Sequence, residues 1–223
     1  MSAPAERVVL FDVDNTLVDN DTVKRELGDE LERRLGTAAR DRYWEILEEL
    51  REELGYVDYL GAIERYRLER LREPGILRLS CWLVDYPFAE RLYPGALEVV
   101  RGLGDWATTV VFSDGDAVFQ PRKIDRSGLW DAVDGRVLIY VHKERMLTEI
   151  ERLYPARRYV MVDDKLRILD SIKRQWRERV TTVFVRQGHY AMDRAILEKY
   201  PAADLSVDQV GELATIDRRR LEP

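Results

Sequence analysis

The sequence predicts an α/β protein, an open and mostly parallel Rossmann-like sheet core carrying an all-α helical block inserted after its first strand. Three observations carry that expectation. Near-continuous apolar runs recur at Val8–Phe11, Thr108–Phe112, Val137–Val141, Tyr159–Val162 and Thr181–Val185, as expected of strands buried on both faces. Helical patterns separate the later runs, and alternating strand and helix is the signature of βαβ units. Between about Val18 and Arg91, by contrast, there is no strand signal at all.

Taken in order, Val8–Phe11 opens the sheet. In the block that follows, Tyr43, Leu47, Leu50 and Leu54 form one apolar stripe, and Leu60, Ile63 and Leu71 suggest another. Such stripes read as the core of a small helix bundle. Tyr93-Pro94-Gly95 punctuates the chain before a helix over Ala96–Leu103. Later helices are expected over Glu144–Leu153, with Leu147, Ile150 and Leu153 on one face, and over Lys165–Arg177, with Leu166, Leu169, Ile172 and Trp176 likewise. The division is residues 1–17 plus 93–223 as core and 18–92 as helical insertion, with hinges near Val18–Asn20 and Arg91–Pro94. Cys81 is expected as a buried apolar filler and Arg218-Arg219-Arg220 as a solvated tail.

Composition narrows the chemistry. The 223 residues are 45% hydrophobic and 35% charged, with a net charge of −6. The insertion carries 18 acidic against 13 basic residues, so most of the excess lies there and the core is nearly balanced. No general basic surface is present to bind nucleic acid. One cysteine excludes an internal disulfide, and His142 and His189 are too few for a histidine cage. A metal would therefore sit on oxygen, which favours magnesium. The opening MSAPAERVVLFDVD has only a short apolar run interrupted by carboxylates. It reads as neither signal peptide nor membrane helix, and a cytoplasmic protein without membrane contact is the expectation.

Carboxylates fall where the strands end. Asp12 and Asp14 follow Val8–Phe11 directly, and ligands of open parallel sheets bind beyond the carboxyl ends of strands. Like charges so close repel unless a cation sits between them, and magnesium takes carboxylate oxygens while also holding phosphate. A carboxylate can attack phosphorus to give an aspartyl-phosphate, and a second can act as general acid and base. Ser113-Asp114-Gly115-Asp116 ends the next strand with a hydroxyl and backbone amides suited to a phosphoryl oxygen. His142-Lys143 supplies a point positive charge, and Asp163-Asp164-Lys165 a second carboxylate pair.

This constellation resembles the haloacid dehalogenase superfamily, whose members are mostly magnesium-dependent phosphatases. Its Asp-x-Asp-x-Thr motif is matched by Asp12-Val13-Asp14-Asn15-Thr16, its strand-ending Ser/Thr by Ser113, its lysine by Lys143, and its late acidic pair by Asp163-Asp164. Tyr93-Pro94-Gly95-Ala96 is similar to the family's re-entry from a helical cap into the core. The resemblance implies that Asp12 is the nucleophile and a metal ligand, and that Asp14 is the general acid/base, offering its carbonyl to the metal. Ser113, Asp114 and Lys143 would hold the phosphoryl group. Asp164 is the preferred direct metal ligand, with Asp163 as its neighbour or alternative. Lys143 is followed by Glu144 where many relatives carry proline, and Lys123 or Lys165 could replace Lys143 if the alignment slips.

Asp14 separates activities within the superfamily, because dehalogenases lack it: a halide leaves without a proton and an alkoxide does not. The expectation is thus a phosphatase acting on a small phosphorylated metabolite, with a phosphomutase or a non-catalytic regulatory member as alternatives. A response-regulator receiver would carry its acidic pair first, its single acceptor later, and no helical insertion. In the superfamily the cap selects the substrate, which places the deciding residues in 18–92 or on loops facing it; Tyr86, Phe88 and Arg91 read rather as core or surface.

Overall fold

The computed structural model describes residues 5–222. In chain order it contains β1 (Ala5–Phe11), α1 (Asn20–Leu35), α2 (Thr37–Leu54), α3 (Tyr59–Glu69), α4 (Gly75–Val84), α5 (Ala96–Gly104) and β2 (Thr108–Asp114). There follow α6 (Phe119–Arg126), α7 (Leu129–Ala132), β3 (Val137–Tyr140), α8 (Leu147–Leu153), β4 (Ala156–Asp163) and α9 (Leu166–Trp176). The chain closes with β5 (Val180–Val185), α10 (Gly188–Met192), α11 (Arg194–Lys199) and β6 (Leu205–Val207).

The strands form one parallel sheet in the order β3-β2-β1-β4-β5-β6. Alternation along each strand explains why the runs look continuous in sequence. Val9 and Phe11 face one apolar layer with Val111, Val160 and Val162, covered by α5 residues Ala96, Val99, Val100 and Leu103. Val8 and Leu10 face the other, with Val110, Phe112, Tyr159 and Met161, covered by Leu147 and Ile150 of α8 and by Leu169 and Ile172 of α9. Both faces are dry, so both must be apolar. The direction of strand addition reverses between β1 and β4, where Phe11 pairs with Val162. That switch point opens the crevice at the carboxyl end of the sheet and sets the residues after Phe11 and Val162 side by side.

Helices α1–α4 build their own apolar cluster, including Val23, Leu27, Tyr43, Leu47, Tyr59, Ile63, Leu79, Leu83, Tyr86 and Phe88. Among the described residues, only Phe119, at the start of α6, joins it from the sheet side. Two adjacent chain crossings tie this unit to the sheet: Asp19 N–H donates to Arg91 O (2.7 Å), Tyr93 N–H donates to Leu17 O (2.9 Å), and Val18 bridges Leu92. Asp19 caps α1 by accepting from Thr22 N–H. Gly55 ends α2 in a left-handed conformation (φ 83°) where a side chain would strike His142.

Several expectations need correction. Leu71 is 78% exposed, because α3 stops at Glu69 and the helical period no longer applies beyond it. Leu54, on the last turn of α2, is also exposed. Cys81 is exposed, since α4 turns Ile76, Leu79 and Leu83 inward and leaves Cys81 on the opposite side. The helix expected from Glu144 starts at Leu147 and leaves Leu153 exposed; Lys143–Arg145 form a separate 3-10 turn after His142, whose φ is 61°. The run Arg218–Arg220 is exposed but sits in a 3-10 turn anchored by buried Leu221. Strand β6 has no counterpart in the sequence reading: three residues are too few for a periodicity signal. No helix among the described residues is long and apolar enough to cross a membrane.

Candidate active site

The chain leaves β1 through a tight turn. Leu17 and Val18 N–H groups both donate to Val13 O, and Asn15, with φ 62°, donates its N–H to Val18 O. Asparagine tolerates that left-handed conformation better than most residues. The turn brings Thr16 back beneath Asp12: its hydroxyl donates to Asp12 Oδ2 (3.3 Å) and accepts from Asp164 N–H (3.0 Å). One threonine side chain thus links the ends of β1 and β4.

At this switch point Asp12, Asp163 and Asp164 converge, each offering one carboxylate oxygen within 4.8 Å of the others. All three are buried. Lys143, buried beside them, donates to Asp12 Oδ1 (2.5 Å) and to Phe112 O (3.1 Å). Its Nζ also lies 2.8 Å from Asp163 Oδ2, as an ion pair outside hydrogen-bond geometry. Lys165 is 3.9 Å from Asp164 Oδ1. Asp164 differs from its neighbours in that both its carboxylate oxygens are buried and accept no hydrogen bond. A buried polar group without a partner costs roughly 1–3 kcal/mol, and more when charged. Three oxygen-only side chains, one of them accepting no hydrogen bond on either oxygen, fit a hard cation.

The electrostatics follow from burial and neighbours. Burial pushes the Asp12 carboxyl up, but Lys143 and Lys165 outweigh it and hold Asp12 below the ordinary carboxylate range. Burial wins at Asp163 and raises it despite Lys143. It raises Asp164 much further, because the more distant Lys165 compensates poorly. Burial would weaken the Lys143 ammonium, yet Asp12 and Asp163 keep it firmly protonated.

Asp14 lies apart from the carboxylate cluster. Its side chain is 25% exposed, lines a cavity of about 430 Å³ between sheet and helical unit, and pairs through Oδ1 with Lys123 Nζ at 2.6 Å. Any contribution of Asp14 to a cation would have to come from its backbone carbonyl. Ser113 is buried, accepting from Gln120 Nε2 (2.9 Å) and donating to Asp114 O (3.2 Å). The Asp114 carboxylate accepts the Lys143 backbone N–H (2.7 Å), so it orients the lysine turn. Glu144, the departure after Lys143, is buried and paired with Arg167 at 2.8 Å. Lys143 therefore reaches the cluster, and neither Lys123 nor Lys165 takes its place there.

Sequence reasoning missed the cavity wall. Arg51 and Tyr56 from α2 and its following turn, Tyr59 from α3, Phe119 and Gln120 from α6, and His189, Tyr190 and Tyr200 near the C-terminus all line it. Tyr190 accepts from Arg51 (3.1 Å), and His189 contacts Asp21 at 2.6 Å, so α10 touches both α1 and α2. None of these residues lies at the end of a predicted strand. Gly188, with φ 71° and no room for a side chain against Asn15, is where this C-terminal segment returns to the first turn.

Comparison with known proteins gives the family. The haloacid dehalogenase-like hydrolase family matches residues 6–174. A solved structure from Burkholderia xenovorans LB400, assigned to the haloacid dehalogenase-like hydrolases, is 57% identical, with a TM-score of 0.91 over 96% of this chain and 100% of its own. A haloacid dehalogenase-like family hydrolase from Xanthomonas campestris is 19% identical, with a TM-score of 0.68 over 99% and 94% of the two chains. The L-2-haloacid dehalogenase from Xanthobacter autotrophicus is 18% identical, with a TM-score of 0.60 over 94% and 97%, a likeness of fold alone. No curated protein matches the sequence.

Proposed function

The chain belongs to the haloacid dehalogenase-like hydrolases, and from that premise we propose that it is a magnesium-dependent phosphatase acting on a small phosphate monoester. The observation that carries this reading is Asp164, buried beside Asp12 and Asp163 with no donor to either oxygen. Displacing a halide from carbon gives no reason to keep such a group; binding a cation that shares a phosphate does. Asp14 adds to it, since a carboxylate facing the cavity suits a leaving alkoxide and is superfluous for a halide.

Asp12 attacks phosphorus, forming an aspartyl-phosphate (an acyl phosphate) as the bond to the leaving oxygen breaks. Asp14 protonates that oxygen, then takes a proton from the water that releases phosphate and restores Asp12. Lys143, with Ser113 and the backbone amides after it, screens Asp12 from the substrate's charge and holds the phosphoryl oxygens. Asp12, Asp164 and the Asp14 carbonyl would hold magnesium, with Asp163 behind them, and the ion supplies positive charge against the transferring group. Residues 18–92 act as the cap that closes over a small phosphorylated metabolite and selects it.

The test is a screen of sugar phosphates, nucleotides, phosphoglycolate and phospho-amino acids against the wild type and Asp12→Asn, with 2-haloacids in parallel. Magnesium-dependent phosphate release, abolished by EDTA and reduced at least about a thousandfold in Asp12→Asn, is expected. Halide release without phosphate release would overturn the reading.

A further inference from the structure

Lys123 is the buried cation that the chemistry above leaves without a task. Its side chain is 0% exposed, although it stands at the seam between sheet and helical unit. Its Nζ lies 5.4 Å from the centre of the Phe119 ring. The ammonium donates to Asp14 Oδ1 (2.6 Å) and to Asn20 Oδ1 (3.0 Å). Asn20 is the first residue of α1, and its amide reaches Tyr59 Oη of α3 at 3.5 Å. Tyr59 in turn packs edge-on against Phe119 (5.4 Å). One ammonium therefore holds a carboxylate of the sheet's first turn and an amide of the helical unit together. A fully buried ammonium is costly unless its partners are fixed, so this arrangement constrains both of them.

The two oxygens of Asp14 are consequently unequal. Oδ1 is occupied by Lys123, whereas Oδ2 accepts no hydrogen bond from any described residue, and Asp14 borders the cavity. We propose that Lys123 is a positioning residue for the general acid/base: it fixes Asp14 through Oδ1, aims Oδ2 at the leaving oxygen, and does so only while Asn20 holds the helical unit against the sheet. This deepens the phosphatase reading and rests on it. The proton passes from Asp14 Oδ2 to the leaving oxygen as the phosphorus–oxygen bond breaks, and Lys123 exchanges no proton. An incompletely seated helical unit leaves the acid loose, so poor leaving groups depart only beneath a seated cap.

The experiment compares Lys123→Met, Lys123→Arg and wild type on an alkyl phosphate and on 2,4-dinitrophenyl phosphate, whose leaving group needs no proton. Lys123→Met is expected to lower kcat about 100-fold on the alkyl ester and less than about fivefold on the activated one, with KM little changed. Lys123→Arg, which keeps the charge and the donors, should recover most of the alkyl activity; methionine fills the space equally well, so a merely structural role would not separate the two variants. A double-mutant cycle of Lys123→Met with Asp14→Asn, read by thermal melting, should be non-additive. Equal losses on both esters, or additive melting effects, would overturn the assignment while leaving the phosphatase reading intact. A wild type inactive on every ester would overturn both.

Discussion

Two buried lysines flank the first motif, and they differ in what holds them. Lys143 stands on the floor of the site and touches Asp12, Asp163 and the Phe112 carbonyl, all at the ends of neighbouring strands of one sheet. Lys123 stands at the seam and touches Asp14 on one side and Asn20 of the helical unit on the other. The floor is set by strand register, which cannot shift without turning every side chain to the wrong face. The seam is set by how one packed unit rests on another, joined by two chain crossings and a few polar contacts. On the proposed phosphatase reading, group transfer rests on the strand-borne floor, and proton delivery and substrate choice rest on the seam.

Breaking the floor should have the largest effect after loss of the nucleophile. Lys143→Met leaves Asp12, Asp163 and Asp164 buried with only Lys165 nearby. Removing one partner of a buried ion pair typically costs about 3–5 kcal/mol, so a substantial drop in melting temperature is expected along with loss of turnover. Magnesium should restore part of the melting temperature and none of the activity. An unchanged melting temperature would show that the floor is less tightly coupled than its geometry indicates.

Asp164→Asn sharpens the same comparison with a smaller and opposite effect. Because burial holds the folded carboxyl far above its ordinary value, its ionised form opposes folding at neutral pH, and that opposition fades as pH falls. Without metal, removing the charge should therefore leave the protein at least as stable as wild type near pH 7. The stabilisation that magnesium gives the wild type should be largely lost. Titrating magnesium while following thermal melting checks both; full metal stabilisation in the variant would remove Asp164 from the ligand set.

The seam offers the smallest effect. Burial pushes Asp21 up, but hydrogen bonds from Asn15 and His189 outweigh it and hold its carboxyl below the ordinary 3.8. A depressed carboxyl adds stability above its unfolded value that is lost as pH falls through its folded value. Asp21→Asn should thus lower stability modestly at pH 5–7, and the gap to wild type should close below about pH 4. Melting curves between pH 3 and 7 would show it, and a gap independent of pH would mean that the Asp21 charge is not what joins α1 to α10.

The floor was almost wholly legible in the sequence. Asp12, Ser113, Lys143 and Asp163-Asp164 all follow apolar runs, and buried parallel strands announce themselves through hydrophobicity alone. The seam was not. Lys123 sits in a short helix, and Asn20, Tyr59, His189 and Tyr190 meet it or one another only because α1–α4 and α10 fold back over the sheet. Helical periodicity says which face of α2 is buried but not what that face approaches; it ran past the end of α3 at Leu71 and counted the exposed last residue of α2, Leu54, as buried.

What the sequence determined by itself was five of the six strands, the order of the motifs and the chemical types at those strand ends, because those follow from local patterns of apolar and acidic residues. Tertiary structure alone decided that Thr16 joins Asp12 to the Asp164 backbone, that Lys143 serves two carboxylates while Asp164 keeps none, and that Lys123 claims Asp14. Apart from Thr16 with Asp12 and Lys143 with Asp163, those are contacts between residues more than 100 apart in the chain, chosen by register and by the seating of one unit on another. No window of sequence contains both partners.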